Sequence, residues 1–265
     1  MKKMIFTDLD GTFLNHDDYS FDPSQEALAK IKQTDTPLIF NTSKTKAEVI
    51  LLQQKVGIIE PFITENGAAL FIPKGYQGLN LDALDELDGY KVVFFGKQYN
   101  EVVSFYKRYK DQFALKGFCD MSIDEIIYYT NLAYENAHLA KQRDFTEPFM
   151  IKDDSKIAKL AKLADQNGLK ITKGGRFFHL IAKNQDKGVA VKQTQQLFQE
   201  LFQEKIFSFG FGDGENDIPM FQNVDQAIVI QNNKGNYAPC SVENVKKSSY
   251  QGSAGFNEMV LKYVF

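Results

Sequence analysis

Phe6-Thr7-Asp8-Leu9-Asp10-Gly11-Thr12 is the stretch from which the fold can be read. Met4, Ile5 and Phe6 form a short apolar run, and Gly11 supplies a turn signal after it, as expected of a buried strand that ends in a loop. Residues two apart on a strand share a face, so Asp8 and Asp10 are expected to project together from its carboxyl end. Open parallel α/β sheets bind ligands at that end. Two adjacent carboxylates repel unless a cation or a shared proton intervenes, and a divalent metal with a phosphate would satisfy the pair. An isolated Asp-x-Asp is more often a solvated acidic turn, so the rest of the chain must decide. An EF-hand is excluded: counted from Asp8, its glycine position holds Phe13 and its final glutamate position holds Tyr19.

Outward from this stretch, a strand–helix alternation follows. Asp22-Pro23 is expected to cap a helix with Ala27, Leu28 and Ile31 at helical spacing. Pro37 to Phe40 reads as a strand running into Asn41-Thr42-Ser43-Lys44-Thr45. Lys46 to Lys55 reads as a helix, and Phe62-Ile63-Thr64 as a strand ending at Glu65-Asn66-Gly67. This is the pattern of a parallel sheet with crossover helices, and each strand ends in a polar cluster. Between 84 and 183 the order becomes mixed, with a helical stretch over Ser122–Gln142 that allows a break and a hairpin around Gly174-Gly175. The expected fold is therefore α/β: a Rossmann-like parallel-sheet core over 1–83 and 184–265 with an inserted α+β domain over 84–183. The core pattern resumes with a helix from Lys187 through Phe202 and a strand over Ile206–Phe209. That strand leads to Gly210-Phe211-Gly212-Asp213-Gly214-Glu215-Asn216-Asp217.

Composition narrows the function. A net charge of −3 over 265 residues gives no basic stripe for nucleic acid. Arg occurs only at 108, 143 and 176, so its fork geometry is of interest wherever it appears. Cys119 and Cys240 are far apart and suit reduced thiols. No apolar run approaches a membrane span, and the start shows no signal-peptide pattern. A cytoplasmic protein without membrane or nucleic-acid partners is expected.

Asp213 and Asp217 form a second acidic cluster in a glycine-rich turn, and together with Asp8 and Asp10 they would make a Mg²⁺ site. Lys187 opens a helix where a phosphate site would need a cation, although a surface lysine is the commoner meaning of such a residue. Thr42 and Ser43 follow a strand, where a hydroxyl and helix-start amides could hold a phosphoryl oxygen or simply cap the helix.

Four segments resemble, in order and spacing, the motifs of haloacid-dehalogenase-type phosphatases. They are Asp-Leu-Asp-Gly-Thr at 8–12, Asn-Thr-Ser-Lys-Thr at 41–45, Asp-Lys-Gly at 186–188 and Gly-Asp-x-x-Asn-Asp at 212–217. Within that family the branch acting on mannosyl-3-phosphoglycerate is similar at residues 41–48, 62–69, 143–149, 174–179 and 216–220. The resemblance implies that Asp8 attacks phosphorus and that Asp10 is the acid and base. It implies Mg²⁺ on Asp8, the Asp10 carbonyl and Asp213, supported by Asp217, with Thr42 and Lys187 holding the phosphoryl group. Substrate contacts are expected from Ser43, Lys44, Asn66, Arg143, Glu147, Gly175, Arg176 and Asn216. Arg176 would meet a carboxylate, whereas Arg143 and Glu147 would bind substrate or pair with each other, and His179 is equally explained by packing. Gly214-Glu215 departs from the family pattern, leaving the part Glu215 plays at the metal open. The implied substrate is a small phosphorylated sugar-glycerate, and the implied state a monomer or homodimer. Glucosyl-3-phosphoglycerate or another sugar phosphate would suit the same chemistry. A non-catalytic phospho-ligand-binding protein is the reading from a different class, and the intact acidic and Lys positions speak against it.

Overall fold

The computed structural model describes residues 1–174 and 176–265. It is α/β with a mainly parallel sheet. By contacts the chain divides into two compact units, one of residues 1–42, 59–93 and 186–265 and the other of 43–58 and 94–185.

In the first unit, β1 (Lys2–Thr7) is buried from Met4 onward, as a strand covered on both faces must be. A 3-10 turn at Asp22–Ser24 leads into α1 (Gln25–Gln33), which buries Ala27, Leu28 and Ile31. The expected Asp22 cap is not made: neither the turn nor α1 has a side-chain cap, and Pro23 starts the helical path instead. β2 (Leu38–Asn41) follows, then α2 (Lys46–Val56), which falls in the second unit. β3 (Phe62–Thr64) and β4 (Ala69–Pro73) are an antiparallel pair joined by the Glu65-Asn66-Gly67 turn. β5 (Asp85–Leu87) and β6 (Tyr90–Phe94) add to the same sheet, so residues 85–93, expected at the start of the inserted block, pair with the large sheet.

The second unit holds α3 (Tyr99–Phe113), β7 (Leu115–Gly117), α4 (Ile123–Thr130), α5 (Tyr134–Ala140), β8 (Glu147–Ile151), α6 (Ile157–Gln166), β9 (Leu169–Gly174) and β10 (Phe177–Ala182). The stretch read as helical over Ser122–Gln142 is broken between α4 and α5, where Asn131 takes φ +58° and ends α4. The small sheet, ordered β7-β8-β10-β9, is antiparallel, and Tyr106, Phe149, Leu160, Leu169 and Leu180 pack in the core beside it.

Back in the first unit come α7 (Lys187–Phe202), β11 (Ile206–Gly212), α8 (Ile218–Phe221), β12 (Gln226–Gln231), β13 (Lys246–Gln251) and α9 (Gly252–Tyr263). Among the described residues the large sheet runs β13-β12-β11-β1-β2-β3-β4-β6-β5. From β1 the chain builds β2 and β3 to one side and β11, β12 and β13 to the other, so the crevice of a parallel sheet opens at the end of β1. Sequence reading missed β13 because it is a sheet-edge strand of Lys, Ser, Tyr and Gln with only Ser248 buried. No helix among the described residues is long and apolar enough to cross a membrane.

Away from that crevice, the Tyr76 hydroxyl donates to Glu60 Oε2 at 2.6 Å. Burial lifts the Glu60 carboxyl from its ordinary 4.5 to about 7, more than the Tyr76 hydrogen bond lowers it. Between those values the unfolded chain has lost the proton and the folded one keeps it, so stability falls as pH rises through this window. Glu60→Gln is expected to flatten that fall and to stabilise the protein at pH 8 by up to about 3 kcal/mol. Urea unfolding at pH 5 and pH 8 checks this; an equal effect at both would exclude Glu60 as the cause.

Candidate active site

Strand register assembles the site. Thr7 of β1 lies opposite Phe211 of β11 and Phe40 of β2, so Asp8, Gly212 and Asn41 form the next row, with Asp213 and Thr42 just beyond. β2 and β3 continue it, with Asn41 opposite Ile63, which puts Thr42 beside the start of the Glu65-Asn66-Gly67 turn. The Asn66 amide donates to the Thr42 carbonyl at 2.8 Å.

Asp8 and Asp10 lie beyond β1, within a turn in which the Thr12 and Leu14 amides bond the Leu9 carbonyl at 3.2 and 2.8 Å. Strand alternation therefore does not govern their directions, contrary to expectation. Gly11, at φ +77°, closes the turn, and a Cβ there would lie 2.6 Å from Asp213 Oδ2. Only glycine allows this approach.

Oxygens of Asp8, Asp213 and Asp217 lie within 4.8 Å of one another; the Asp10 carboxylate is outside this group. Lys187 Nζ sits 2.8 Å from Asp8 Oδ1 and 2.6 Å from Asp217 Oδ1, with 1% of its side chain exposed. Asp217 Oδ2 accepts from the amides of Asp213 (3.1 Å) and Gly214 (3.0 Å), so Asp217 builds the turn while holding Lys187. Thr12 Oγ1 donates to Asp213 Oδ1 at 3.3 Å.

Burial raises the Asp8 carboxyl, against the pull of Lys187. Burial, then Asp8 and Asp217, push Asp213 up to about 8. Burial opposes the Lys187 charge, but Asp217 and Asp8 outweigh it and hold the ammonium above its usual range. Carboxyls raised by burial and by one another mark a place where added positive charge is favoured, and hard oxygen donors suit a small divalent cation. Asp8, Asp213 and Asp217 are the carboxylates that could hold such an ion.

Thr42 is buried, and its amide donates to the Ile63 carbonyl at 3.1 Å, so a phosphoryl contact would fall to its hydroxyl. Neither Thr42 nor Ser43 caps α2. The cap is Thr45, in a capping box with Glu48, and this occupies the Thr45 and Glu48 amides. Asn216 lies in the Asp213–Asp217 turn, its Oδ1 close against Gly214, and Glu215 is exposed.

The other expected residues belong to the second unit. Arg143 donates through Nη2 to the Ser43 carbonyl (3.1 Å) and Thr146 Oγ1 (2.6 Å). Lys44 stands 3.7 Å from Glu48. Glu147 is wholly buried and accepts from the Tyr99 hydroxyl (2.6 Å) and the Cys119 amide (2.9 Å); burial raises its carboxyl. Arg176 is exposed and donates to the Tyr129 carbonyl, whereas Gly175 lies outside the described residues.

Two residues that the sequence places inside its motifs, without a role of their own, acquire one in the structure. Asp186 caps α7 by accepting from the Gly188 and Val189 amides at 2.9 and 2.8 Å, a signal visible as an Asp before a helix. Asn41 donates through Nδ2 to the Lys187 carbonyl at 3.1 Å, and no sequence spacing links residues so far apart. Its Oδ1 is buried without a hydrogen-bond partner among the described residues, which costs about 1–3 kcal/mol.

The profile described as haloacid dehalogenase-like hydrolase matches residues 5–239. A relative from Persephonella marina, named glucosyl-3-phosphoglycerate/mannosyl-3-phosphoglycerate phosphatase, is 48% identical over 97% of this chain and 95% of its own. The mannosyl-3-phosphoglycerate phosphatase of Pyrococcus furiosus is 32% identical over 87% of this chain and 91% of its own. Among solved structures, Thermoplasma acidophilum 0175 superimposes with a TM-score of 0.70 at 18% identity, covering 100% of this chain and 99% of the other. That likeness is one of fold.

Proposed function

Because the chain belongs to the haloacid dehalogenase-like hydrolase family, we propose that it is a Mg²⁺-dependent phosphatase that releases phosphate from mannosyl-3-phosphoglycerate. Glucosyl-3-phosphoglycerate is the second substrate, favoured by the double name of the Persephonella marina relative. The observation that carries the reading is the Asp8 carboxylate held 2.8 Å from a buried Lys187 ammonium beside Asp213 and Asp217.

In this mechanism an Asp8 oxygen attacks phosphorus, a P–O bond to Asp8 forms and the bond to the glycerate oxygen breaks. Asp10 gives its proton to that leaving oxygen. Asp10, now ionised, takes a proton from water, whose oxygen attacks the aspartyl phosphate and frees Asp8 and inorganic phosphate. Lys187 and the Thr42 hydroxyl hold the phosphoryl oxygens, where positioning and neutralisation dominate the rate. A bound Mg²⁺ would neutralise charge between the Asp8 carboxylate and the anionic phosphate.

Substrate choice is assigned to the inserted block, through Arg143, Glu147, Gly175 and Arg176, with Ser43, Lys44, Asn66 and Asn216 as the proposed contacts outside it. The Arg176 guanidinium suits the glycerate carboxylate. Arg143, engaged with Ser43 and Thr146, fits a part in shaping the loop after Thr42.

Phosphate release is the test, measured on mannosyl- and glucosyl-3-phosphoglycerate, sucrose 6-phosphate and hexose phosphates, with Mg²⁺ and with chelator. Mg²⁺-dependent turnover strongest on the two glycerate compounds is expected. Preference for a plain hexose phosphate would overturn the substrate assignment, and turnover unaffected by chelator would overturn the metal.

A further inference from the structure

We propose that Asn41 is a positioning residue for Lys187, acting on phosphoryl transfer through the backbone at the start of α7. The inference rests on the reading of Lys187 as the cation that faces the transferring phosphoryl group. Asn41 ends β2 and is wholly buried. Its Nδ2 donates to the Lys187 carbonyl at 3.1 Å and lies 3.6 Å from Met220 Sδ. Its Oδ1 has no hydrogen-bond partner among the described residues. A side chain present only to fill this space would be better apolar, because the buried acceptor is desolvated without compensation. What the amide supplies, and an apolar group does not, is the donor to Lys187.

Two close backbone approaches hold the same few atoms. A Cβ on Gly67 would lie 2.2 Å from the Asp186 carbonyl and 3.0 Å from the Lys187 amide nitrogen. One on Gly188 would meet the Pro219 carbonyl at 2.2 Å. The turn carrying Gly67 has three successive positive φ values, +50° at Glu65, +60° at Asn66 and +83° at Gly67. Such strain persists only where the surroundings impose it. Asp186 to Gly188 are thus held by β2, by this turn and by α8. The ammonium is fixed at its far end by Asp8 and Asp217 and at its root by Asn41. Without the Asn41 donor the root can shift, displacing the charge from the place where it meets the transition state. Such displacement slows chemistry more than it weakens binding.

The test compares wild type, Asn41→Ala and the near-isosteric Asn41→Leu, each with and without Lys187→Met. The substrate is para-nitrophenyl phosphate, and orthovanadate serves as a five-coordinate phosphoryl mimic. For the Asn41 variants kcat is expected to fall about 10- to 100-fold with KM changed less than about twofold. The vanadate inhibition constant should rise by the same factor. In the Lys187→Met background, the Asn41 change should alter kcat less than about twofold, because the group it positions is gone. A higher KM at constant kcat, or an equal loss with and without the ammonium, overturns the proposal in favour of a packing defect. Should Lys187→Met prove unfolded or too slow, vanadate decides, and an unchanged inhibition constant in Asn41→Leu overturns it. Full kcat in Lys187→Met would overturn the reading of Lys187 as well, whereas full kcat in the Asn41 variants alone overturns only this proposal.

Discussion

Asp8→Asn is expected to abolish phosphate release, by at least about 10⁴-fold, while raising the melting temperature of the metal-free protein. The amide keeps the shape of the carboxylate but cannot form the aspartyl phosphate proposed to divide the hydrolysis into two steps. The stability change runs the other way. Asp8, Asp213 and Asp217 crowd their oxygens within 4.8 Å, and the Lys187 ammonium pairs with Asp8 and Asp217. Removing one buried carboxylate relieves repulsion and desolvation, and the Asn oxygen can still accept from Lys187. Added Mg²⁺ should therefore stabilise wild type more than the variant. Phosphate release and thermal unfolding with and without Mg²⁺ check both halves. Turnover within tenfold of wild type would remove Asp8 as the nucleophile, and a lower metal-free melting temperature would refute the crowding account.

Lys187→Met should be the most destabilising change at this site. It removes a fully buried cation and leaves Asp8 and Asp217 without their common partner. Breaking a buried ion pair from one side costs about 3–5 kcal/mol, a large part of the 5–15 kcal/mol typical of a folded domain. The same change should lower kcat about 10²- to 10³-fold, as removing one preorganised charge from a transition state does. Asp8→Asn in the same chain should recover part of the lost stability, because one of the two stranded charges is gone. Denaturant unfolding of the two single variants and the double variant measures this coupling. An Asp8→Asn gain no larger in the Lys187→Met chain than in wild type, that is strict additivity, would mean that Lys187 does not hold the two carboxylates together.

Much of the architecture was legible because it is written in local pattern. The apolar run before Asp8, the alternation through Phe62–Thr64 and the resumption at Lys187 mark a parallel sheet, since a crossover helix between buried strands leaves that periodicity. Polar residues at the strand ends pointed to the site for the same reason, ligands gathering at the carboxyl edge. Where local signals were weak, reading failed. Lys246–Gln251 is a strand only because β12 lies beside it, and the α2 cap is Thr45 instead of Thr42 or Ser43.

By itself, then, the sequence determined the kinds of element, their order, and the acids and lysine that could meet. Tertiary structure alone decided what those groups do to one another. Asp217 grips Lys187 from 30 residues away, and Thr12 reaches Asp213 across 201. Strand register, which depends on pairing between distant segments, sets Asp8, Gly212 and Asn41 in one row. Asn41 meets the Lys187 carbonyl for the same reason. Such contacts depend on packing distances between distant segments, and no spacing along the chain encodes them.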